Sequence, residues 1–340
     1  MREKRLGQQT IALKNPPGIA AAASVVGPKE GDGPLKSDFD FISEDAYFGE
    51  KTWEKAESAM LKQAFALCCD KAKLPPSSLD YIFSGDLLNQ CVGSSYAMRE
   101  SNVPFFGLFG ACSTMSEALS LAAMVIDGGY ADACAATASS HFCSAERQFR
   151  LPLEYGGQRS PTAQWTVTGA GCVILKAGGP APYVTHVTTG KIVDAGITDV
   201  NNMGAAMAPA AYDTLRAHFA DTGRAPDFYD AIATGDLGNL GQDILRELFS
   251  RDGVDLGLGY TDCGVLIYSG TAQDTHAGGS GCGCSASVLS GHLLKGMLEG
   301  RWPRLLFCAT GALMSPVTSQ QGESIPGICH AVALDVNPGN

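Results

Sequence analysis

The sequence predicts an α/β fold of two similar halves in a five-layer α-β-α-β-α arrangement, on three observations. The first is an internal repeat. Leu79-Asp-Tyr-Ile-Phe-Ser-Gly-Asp-Leu-Leu-Asn89 returns 150 residues later as Tyr229-Asp-Ala-Ile-Ala-Thr-Gly-Asp-Leu-Gly-Asn239. Gly110-Ala-Cys-Ser113 and the run behind it correspond to Gly283-Cys-Ser-Ala286 and Val288–Glu299, and Ala136-Thr-Ala138 corresponds to Ala309-Thr-Gly311. The second is alternation of short apolar runs with helical periodicity, the pattern of layered α/β sheets. The third is a segment, Met115–Ile126, whose only polar residues are Ser116, Glu117 and Ser120. A helix apolar on nearly all sides is a buried one. Two copies packed together place two such helices at the centre, with halves 1–178 and 179–340.

Each element has its own signal. Gln9–Leu13 and Ala20–Val26 read as opening strands, followed by a Gly/Pro/Asp-rich connection, Gly27–Asp40. Lys51–Lys73 is a predicted helix, with Ala56, Ala59, Met60, Ala64, Leu67 and Cys68 at helical spacing, ended by Pro75-Pro76. Leu79–Phe83 is a buried strand. Val103–Gly110 is a short apolar strand and a tight turn, and the helix after it starts at Cys112 or just beyond. Ser113 and Thr114 suit a helix start, and Gly128-Gly129 ends it. Ala131–Ala138 and Thr166–Lys176 are further strands, the latter with a bend expected at Gly169 and Gly171.

Cys112 stands out by position. Backbone N–H groups and the helix dipole at the start of a buried helix favour a thiolate, and the strand-turn-helix setting is the one nucleophile activation uses. The plain alternative is a small core residue, one of twelve cysteines. In the second half Ser285 takes its place.

Composition bounds the rest. The chain has 340 residues, 17% charged and 45% hydrophobic, with net charge −11. No basic run exceeds a few residues, which argues against nucleic-acid binding. An anionic ligand must be held by local Arg residues and helix ends. The charged amino terminus lacks the apolar core of an export signal, and no run approaches the roughly 18 apolar residues of a spanning helix. A soluble, reduced, intracellular protein is expected, with any membrane association made through a partner.

A duplicated α/β chain with one Cys heading the first central helix resembles the thiolase superfamily of thiolases and ketoacyl synthases. Longer strings are similar to one branch, the stage V sporulation protein AD family. They include Gly85-Asp-Leu-Leu-Asn-Gln90, Phe109-Gly-Ala-Cys-Ser-Thr114, Ser139-Ser-His-Phe-Cys-Ser-Ala-Glu-Arg-Gln-Phe-Arg150, Glu154-Tyr-Gly-Gly-Gln158, Met207-Ala-Pro-Ala-Ala211 and Gly278-Gly-Ser-Gly-Cys282. The resemblance covers nearly the whole chain. It implies a thiolase-like fold, a homodimer, binding of dipicolinic acid (pyridine-2,6-dicarboxylate), and support of its movement into the developing spore. It further implies membrane partners of the same stage V sporulation group, a peripheral place at the spore inner membrane, and Ca²⁺ as a companion of the ligand rather than a cofactor.

Condensing enzymes of the superfamily carry a catalytic His in the first loop of the second half and a His or Asn in the later Gly-rich turn. Here the loop reads Thr234-Gly-Asp-Leu-Gly-Asn239 and the turn His276-Ala-Gly-Gly-Ser-Gly-Cys282. Groups that act as a unit lose most of their rate together. The expectation is therefore a binding pocket around a vestigial Cys112, with no catalytic residue. The other reading is an acyl-thioester condensing or acyltransfer enzyme using Cys112 as nucleophile, and a third is an adaptor that docks on a membrane complex.

A planar dicarboxylate calls for bidentate Arg, backbone N–H groups and a flat apolar wall. Ser140, His141, Arg147 and Arg150 lie among Phe142 and Phe149, and Arg159 is a further cation. His141 reads equally as a hydrogen-bonded structural histidine, and Arg147 and Arg150 as surface partners of Glu146 and Glu154. Gly279 and Ser280, in the Gly-rich turn, are expected to approach the first-half helix and lend N–H donors. No metal site is expected at Cys282-Gly-Cys284, whose spacing is not that of zinc.

Overall fold

The computed structural model describes residues 3–149 and 159–338. Its strands are β1 (Thr10–Ala12), β2 (Gly18–Val26), β3 (Phe41–Ile42), β4 (Tyr81–Gly85), β5 (Phe105–Leu108), β6 (Ala133–Ser140) and β7 (Trp165–Thr166). They continue as β8 (Gly169–Lys176), β9 (Tyr183–Thr188), β10 (Ala231–Thr234), β11 (Tyr260–Asp262), β12 (Gly279–Ser280), β13 (Arg304–Ala312) and β14 (Gly327–Asp335). The first five helices are α1 (Pro28–Gly31), α2 (Trp53–Ala72), α3 (Val92–Met98), α4 (Thr114–Asp127) and α5 (Phe142–Phe149). After them come α6 (Met203–Thr222), α7 (Gly238–Arg251), α8 (Cys263–Ile267), α9 (Cys282–Val288), α10 (Leu294–Leu298) and α11 (Pro316–Gln320).

The duplication is visible in the strand orders. The first half pairs β5-β4-β6-β8-β2 and the second β11-β10-β13-β14-β9, with parallel and antiparallel neighbours in the same places. One pair, Gly18↔Tyr183, links the two sheets. Helices α4 and α9 lie between the sheets, α2 on the outer face of the first and α6 on that of the second. Three apolar cores follow from this layering. Met115, Leu119, Val288 and Phe307 belong to the central one, Met60, Leu61 and Ile82 to the layer under α2, and Met207, Leu215 and Ile232 to the layer under α6.

Local chemistry explains the element ends. The Thr52 hydroxyl accepts the Lys55 N–H at 3.4 Å and opens α2, while Lys73 closes it with φ 56°. Helices α2 and α6 each span 20 residues, set 150 apart in sequence. A π-helical turn, Leu289–Leu293, joins α9 to α10.

Strand β1 crosses over from the half 1–178 to pair with β9 of the second. One expectation needs correction. The strand expected over Thr166–Lys176 is two strands, β7 and β8. Gly169 and Gly171 mark close approach of α9 rather than a bend. A Cβ on Gly171 would lie 2.2 Å from the Ala286 carbonyl oxygen, and one on Gly169 would lie 3.3 Å from that of Gly283.

Because the clash at Gly171 is with helix backbone, it cannot be relieved by a rotamer change. Gly171→Ala is expected to cost at least about 3 kcal/mol, seen as a lowered urea midpoint. Ala at Gly270, outside the left-handed region and with a Cβ that would meet only the His276 carbonyl oxygen at 3.8 Å, is the control for the loss of a glycine in its own right.

Candidate functional site

Cys112 lies in a single 3₁₀ turn, Ala111–Ser113, between β5 and α4. Ala111 has φ 49°, a left-handed conformation uncommon outside glycine, so the cysteine sits on a sharp strand-to-helix elbow. The Ser113 hydroxyl bonds the Gly110 carbonyl at 2.7 Å, and the Thr114 hydroxyl bonds that of Ala111 at 2.7 Å. Ser285, at the pseudo-equivalent place in the second half, reaches the Cys112 carbonyl at 3.5 Å.

The thiol meets a carboxyl rather than a histidine. Asp236, on the loop after β10, hydrogen-bonds the Cys112 side chain. It also accepts the Gly281 N–H at 2.9 Å and the Thr310 hydroxyl at 2.8 Å. Asp262 holds that loop in turn, taking the Thr234 hydroxyl at 2.7 Å and the N–H groups of Leu237 and Gly238 at 2.9 Å each. Burial pushes the Asp236 carboxyl up to about 7, from an ordinary 3.8. Burial also pushes the Cys112 thiol up, and the Asp236 carboxylate pushes it further. The expectation of a thiolate favoured by the helix start is thus reversed, because desolvation and a like charge outweigh the dipole.

The repeat supplies a second buried acid. Asp86, the counterpart of Asp236, accepts the Leu88 N–H at 2.8 Å and both the N–H and hydroxyl of Ser94 at 2.7 Å. Glu57 lies beside it, taking the Ser139 and Ser144 hydroxyls at 3.2 and 2.8 Å. Burial and the Asp86 charge raise Glu57 to about 8.

A pocket opens at the elbow, walled by Leu87, Phe109, Phe149, Met203 and Met314, with Ala111, Ala145 and Ala312 between them. Its polar lining is Cys112, Glu146, Thr166 and Ser280. The pocket encloses about 460 Å³ counting its open mouth, with about 40 Å³ free for the centres of water molecules. At roughly 10–15 Å³ per water centre, that is room for a few waters. Two of the walls are methionines, the most pliable apolar residues, so the pocket can widen by side-chain movement.

Of the residues the sequence nominates, Cys112 and Ser280 line this pocket. Ser140 does not; its hydroxyl bonds the Val167 carbonyl at 2.7 Å and accepts the Gly283 N–H at 3.1 Å, fastening α9 to the first sheet. His141 is buried, with Nε2 2.8 Å from the Ala46 carbonyl and Nδ1 accepting the Cys143 N–H at 3.2 Å. That is the structural reading of this histidine, held neutral by burial. Arg147 is half-exposed, paired with Glu54 and set over the Trp53 ring at 5.1 Å. Arg147, expected with Arg150 as a candidate for the pocket, lies outside it, while Glu146, its surface partner on the plain reading, lines the pocket, because neighbours in α5 lie about 100° apart round the helix. Arg159 packs over Trp165 at 4.7 Å and pairs with Asp274 at 3.6 Å. Arg150 and Glu154 lie outside the described residues. Gly279 sits in β12, which pairs with β7 rather than with the first-half helix, and its carbonyl takes the Gln164 amide at 3.0 Å. His276 is fixed to the Ser160 carbonyl at 2.7 Å. The thiols of Cys282 and Cys284 bond the carbonyls of Ser139 and Gly235 at 2.9 and 3.6 Å.

The sequence reading missed Asp236 and Glu146. Asp236 was visible as the repeated Gly-Asp at a strand end. Nothing in the sequence sets Glu146 apart from the charged residues around it.

The raised carboxyls fix how stability changes with pH. Between the ordinary 3.8 of Asp236 and its folded value of about 7, the folded state binds more protons than the unfolded one, so stability falls as pH rises. Urea midpoints measured from pH 5 to 8 should decline, and Asp236→Asn should flatten the decline. Asp236→Asn should also speed alkylation of Cys112 by iodoacetamide at pH 8, by removing the charge that holds the thiol protonated. An unchanged alkylation rate would show that this charge does not control the thiol.

Comparison with known proteins places this geometry. Among solved structures, 3-oxoacyl-[acyl-carrier-protein] synthase III from Aquifex aeolicus superposes with a TM-score of 0.56 at 14% identity, over 94% of this chain and 99% of that one. OleA from Xanthomonas campestris superposes with a TM-score of 0.60 at 14% identity, over 96% and 98% of the two chains. At such identity the likeness is one of fold, the thiolase-like fold. The stage V sporulation protein AD of Bacillus subtilis is 44% identical over 332 residues, 98% of each chain. Residues 7–335 match the family described as stage V sporulation protein AD. The chain belongs to that family.

Proposed function

We propose that this chain is a non-catalytic binding protein of sporulation, which holds dipicolinic acid in the Cys112 pocket and supports its uptake into the developing spore. The observation that carries the non-catalytic part is Asp236 against the thiol. An imidazolium beside Cys112 would stabilise a thiolate, whereas the Asp236 carboxylate disfavours one and keeps the thiol protonated. A neutral, buried thiol is a poor acceptor of acyl groups.

The pocket's chemistry supports a flat ligand. Phe109, Phe149, Leu87 and the two methionines offer an apolar wall for a pyridine ring, while Ser280 offers a hydroxyl donor to a carboxylate. No Arg or Lys stands among the described lining residues, so the bidentate clamp anticipated from sequence is not formed by Arg147. Glu146 sets a further condition. Its oxygen takes the Thr166 hydroxyl at 3.4 Å, and a ligand carboxylate beside it must share a proton or a cation. Ca²⁺ entering with dipicolinate meets that condition.

Two further parts of the reading concern assembly. Strand β5 ends its sheet, with Phe106 in it 51% exposed and Phe109 just past its end 46% exposed. Exposed aromatic edges invite pairing. We propose a homodimer formed across β5, which would cover the mouth of the pocket where Phe109 stands. No helix among the described residues is long and apolar enough to cross a membrane. A place at the spore inner membrane would therefore come through membrane partners of the stage V sporulation group.

Calorimetric titration with dipicolinate should give saturable binding, with no acylation of Cys112 by acetyl coenzyme A. Glu146→Gln should tighten free dipicolinate about tenfold, the loss of one like-charge contact, and should remove any gain from added Ca²⁺. Acylation of Cys112 without dipicolinate binding would return the chain to the condensing enzymes. Phe106→Glu should convert a dimer to a monomer in analytical ultracentrifugation; a native chain already monomeric at micromolar concentration would refute the β5 interface.

A further inference from the structure

The first half buries a polar nest that the second half does not repeat. Glu57 in α2 and Asp86, just past β4, are both buried, and their carboxyl groups meet at Gly93. A Cβ on that glycine would lie 3.2 Å from the Glu57 Oε1 and 3.1 Å from the Asp86 Cγ. Ser94, Ser139 and Ser144 close the nest with their hydroxyls. In the second half, 150 residues on, Glu57 and Ser94 become Met207 and Ile244. Ser139 becomes Ala312, by the match of Ala136-Thr-Ala138 with Ala309-Thr-Gly311. All three replacements pack in the apolar core under α6. The fold is complete with hydrocarbon at these places, and a buried carboxyl costs more there than a methionine. Packing does not account for Glu57.

Among the described residues the donors to the pair are neutral. They include the N–H groups of Leu88 and Ser94 and the three serine hydroxyls. Of the titratable groups around it, Cys91 stands before α3 and Cys282 at the head of α9, and burial together with the nearby acids pushes both thiols up. His141, ahead of α5, turns its ring to Ala46, and Arg147 in α5 is paired with Glu54 of α2. Glu146 and Asp236 lie on the pocket side. Two carboxylates in one buried nest without a cation do not both ionise, so the pair keeps a proton at neutral pH. Asp86 has three donors, two of them backbone N–H groups, and is the better-held ion. Glu57 has two hydroxyls, which accept as readily as they donate, and carries the proton. Burial and the Asp86 charge place its titration at about 8.

The nest backs onto the Cys112 pocket. Leu87, in the pocket wall, lies between Asp86 and the Leu88 N–H that Asp86 accepts. Ala145 and Glu146, also lining the pocket, follow Ser144, whose hydroxyl Glu57 accepts. Gln148 ties the two segments together, accepting the Asn89 N–H at 3.2 Å and donating to the Leu87 carbonyl at 3.5 Å. An anion lodged against Leu87 and Ala145 is thus one wall away from the pair, in an interior where charge is poorly screened. It favours the protonated form of Glu57.

We propose that the Glu57–Asp86 pair makes dicarboxylate binding proton-linked: entry of the ligand draws a proton from solvent onto the Glu57 carboxylate, so the complex holds at neutral pH and loosens in alkali. The inference rests on the dicarboxylate reading of the pocket and adds its regulation. Linkage fixes the sign. The ligand raises an already raised carboxyl, the complex binds more protons than the free protein, and affinity falls as pH climbs past about 8. Well below that value Glu57 is protonated in both states and contributes no pH dependence.

The test is calorimetric titration of the full-length protein with dipicolinate at pH 9, in two buffers of different ionisation enthalpy. At that pH Asp236, which titrates near 7, is already ionised. The buffer dependence of the heat should report uptake of about 0.4 proton per ligand, for a rise of about one unit in the Glu57 value. On the same basis the affinity should fall about fivefold from pH 8 to pH 10. Glu57→Gln, which keeps an acceptor for the serines, and Glu57→Met, the residue of the second half, should each bind dipicolinate with uptake near zero. Binding by the native protein without uptake would overturn the inference and leave the dicarboxylate reading standing. Uptake that persists in either variant would overturn it too, by assigning the proton to another group. Absence of saturable binding at any pH would overturn the reading and the inference together.

Discussion

Four segments far apart in the sequence converge on one carboxyl group. Asp236 leaves the end of β10, takes a hydroxyl from β13 and an N–H from the turn before α9, and bonds the thiol at the head of α4. The two central helices are registered against each other through this group, and the cysteine elbow is held by it. A carboxyl so buried remains bound to its donors only because each offers a hydrogen bond, since an unsatisfied one would cost several kcal/mol. The site's chemistry is set by the same fact. Burial that raises Asp236 also raises the thiol, and where Asp236 is ionised its charge holds the thiol protonated.

Duplication accounts for most of the rest. A five-stranded sheet with one face under a central helix and the other under a long outer helix is made twice, and each copy alone would leave an apolar face in water. The strand pairings between the copies are short, Gly18↔Tyr183, β7 against β12 and β1 against β9, so their union rests on the central core between the sheets. Glycines with backbone neighbours where a Cβ would stand, such as Gly171 and Gly283, let that core close. Divergence between the copies then falls where packing does not forbid it: Cys112 against Ser285, Glu57 against Met207, and Lys71 against Asp221.

The pocket owes its character to a balance of walls and polar groups. Its lining is mostly apolar, its hydroxyls are few, and its one described acid side chain besides the site carboxyl is Glu146. Such a surface discriminates by shape and by the charge state of what enters. The arginine next to Glu146 is spent on Trp53 and Glu54, outside the pocket. Neighbours in a helix face different ways, and that simple geometry separates the two residues that a reading by proximity in sequence would group together.

Periodicity and repetition made the architecture legible from residues alone. Helix α4 was identified by an apolar run with a cap and a glycine stop, and the halves by a string repeated at 150 residues, because these signals are local or self-similar. Cys112 was legible for the same reason, since its place at a strand-turn-helix elbow is written in consecutive residues. Only tertiary structure decided what surrounds it. Asp236 reaches the thiol across more than a hundred residues of chain, Glu146 turns inward while Arg147 turns out, and His141 spends both ring nitrogens on backbone. Those outcomes depend on which side chains share a desolvated volume, and desolvation is a property of the packed molecule that no stretch of sequence carries by itself.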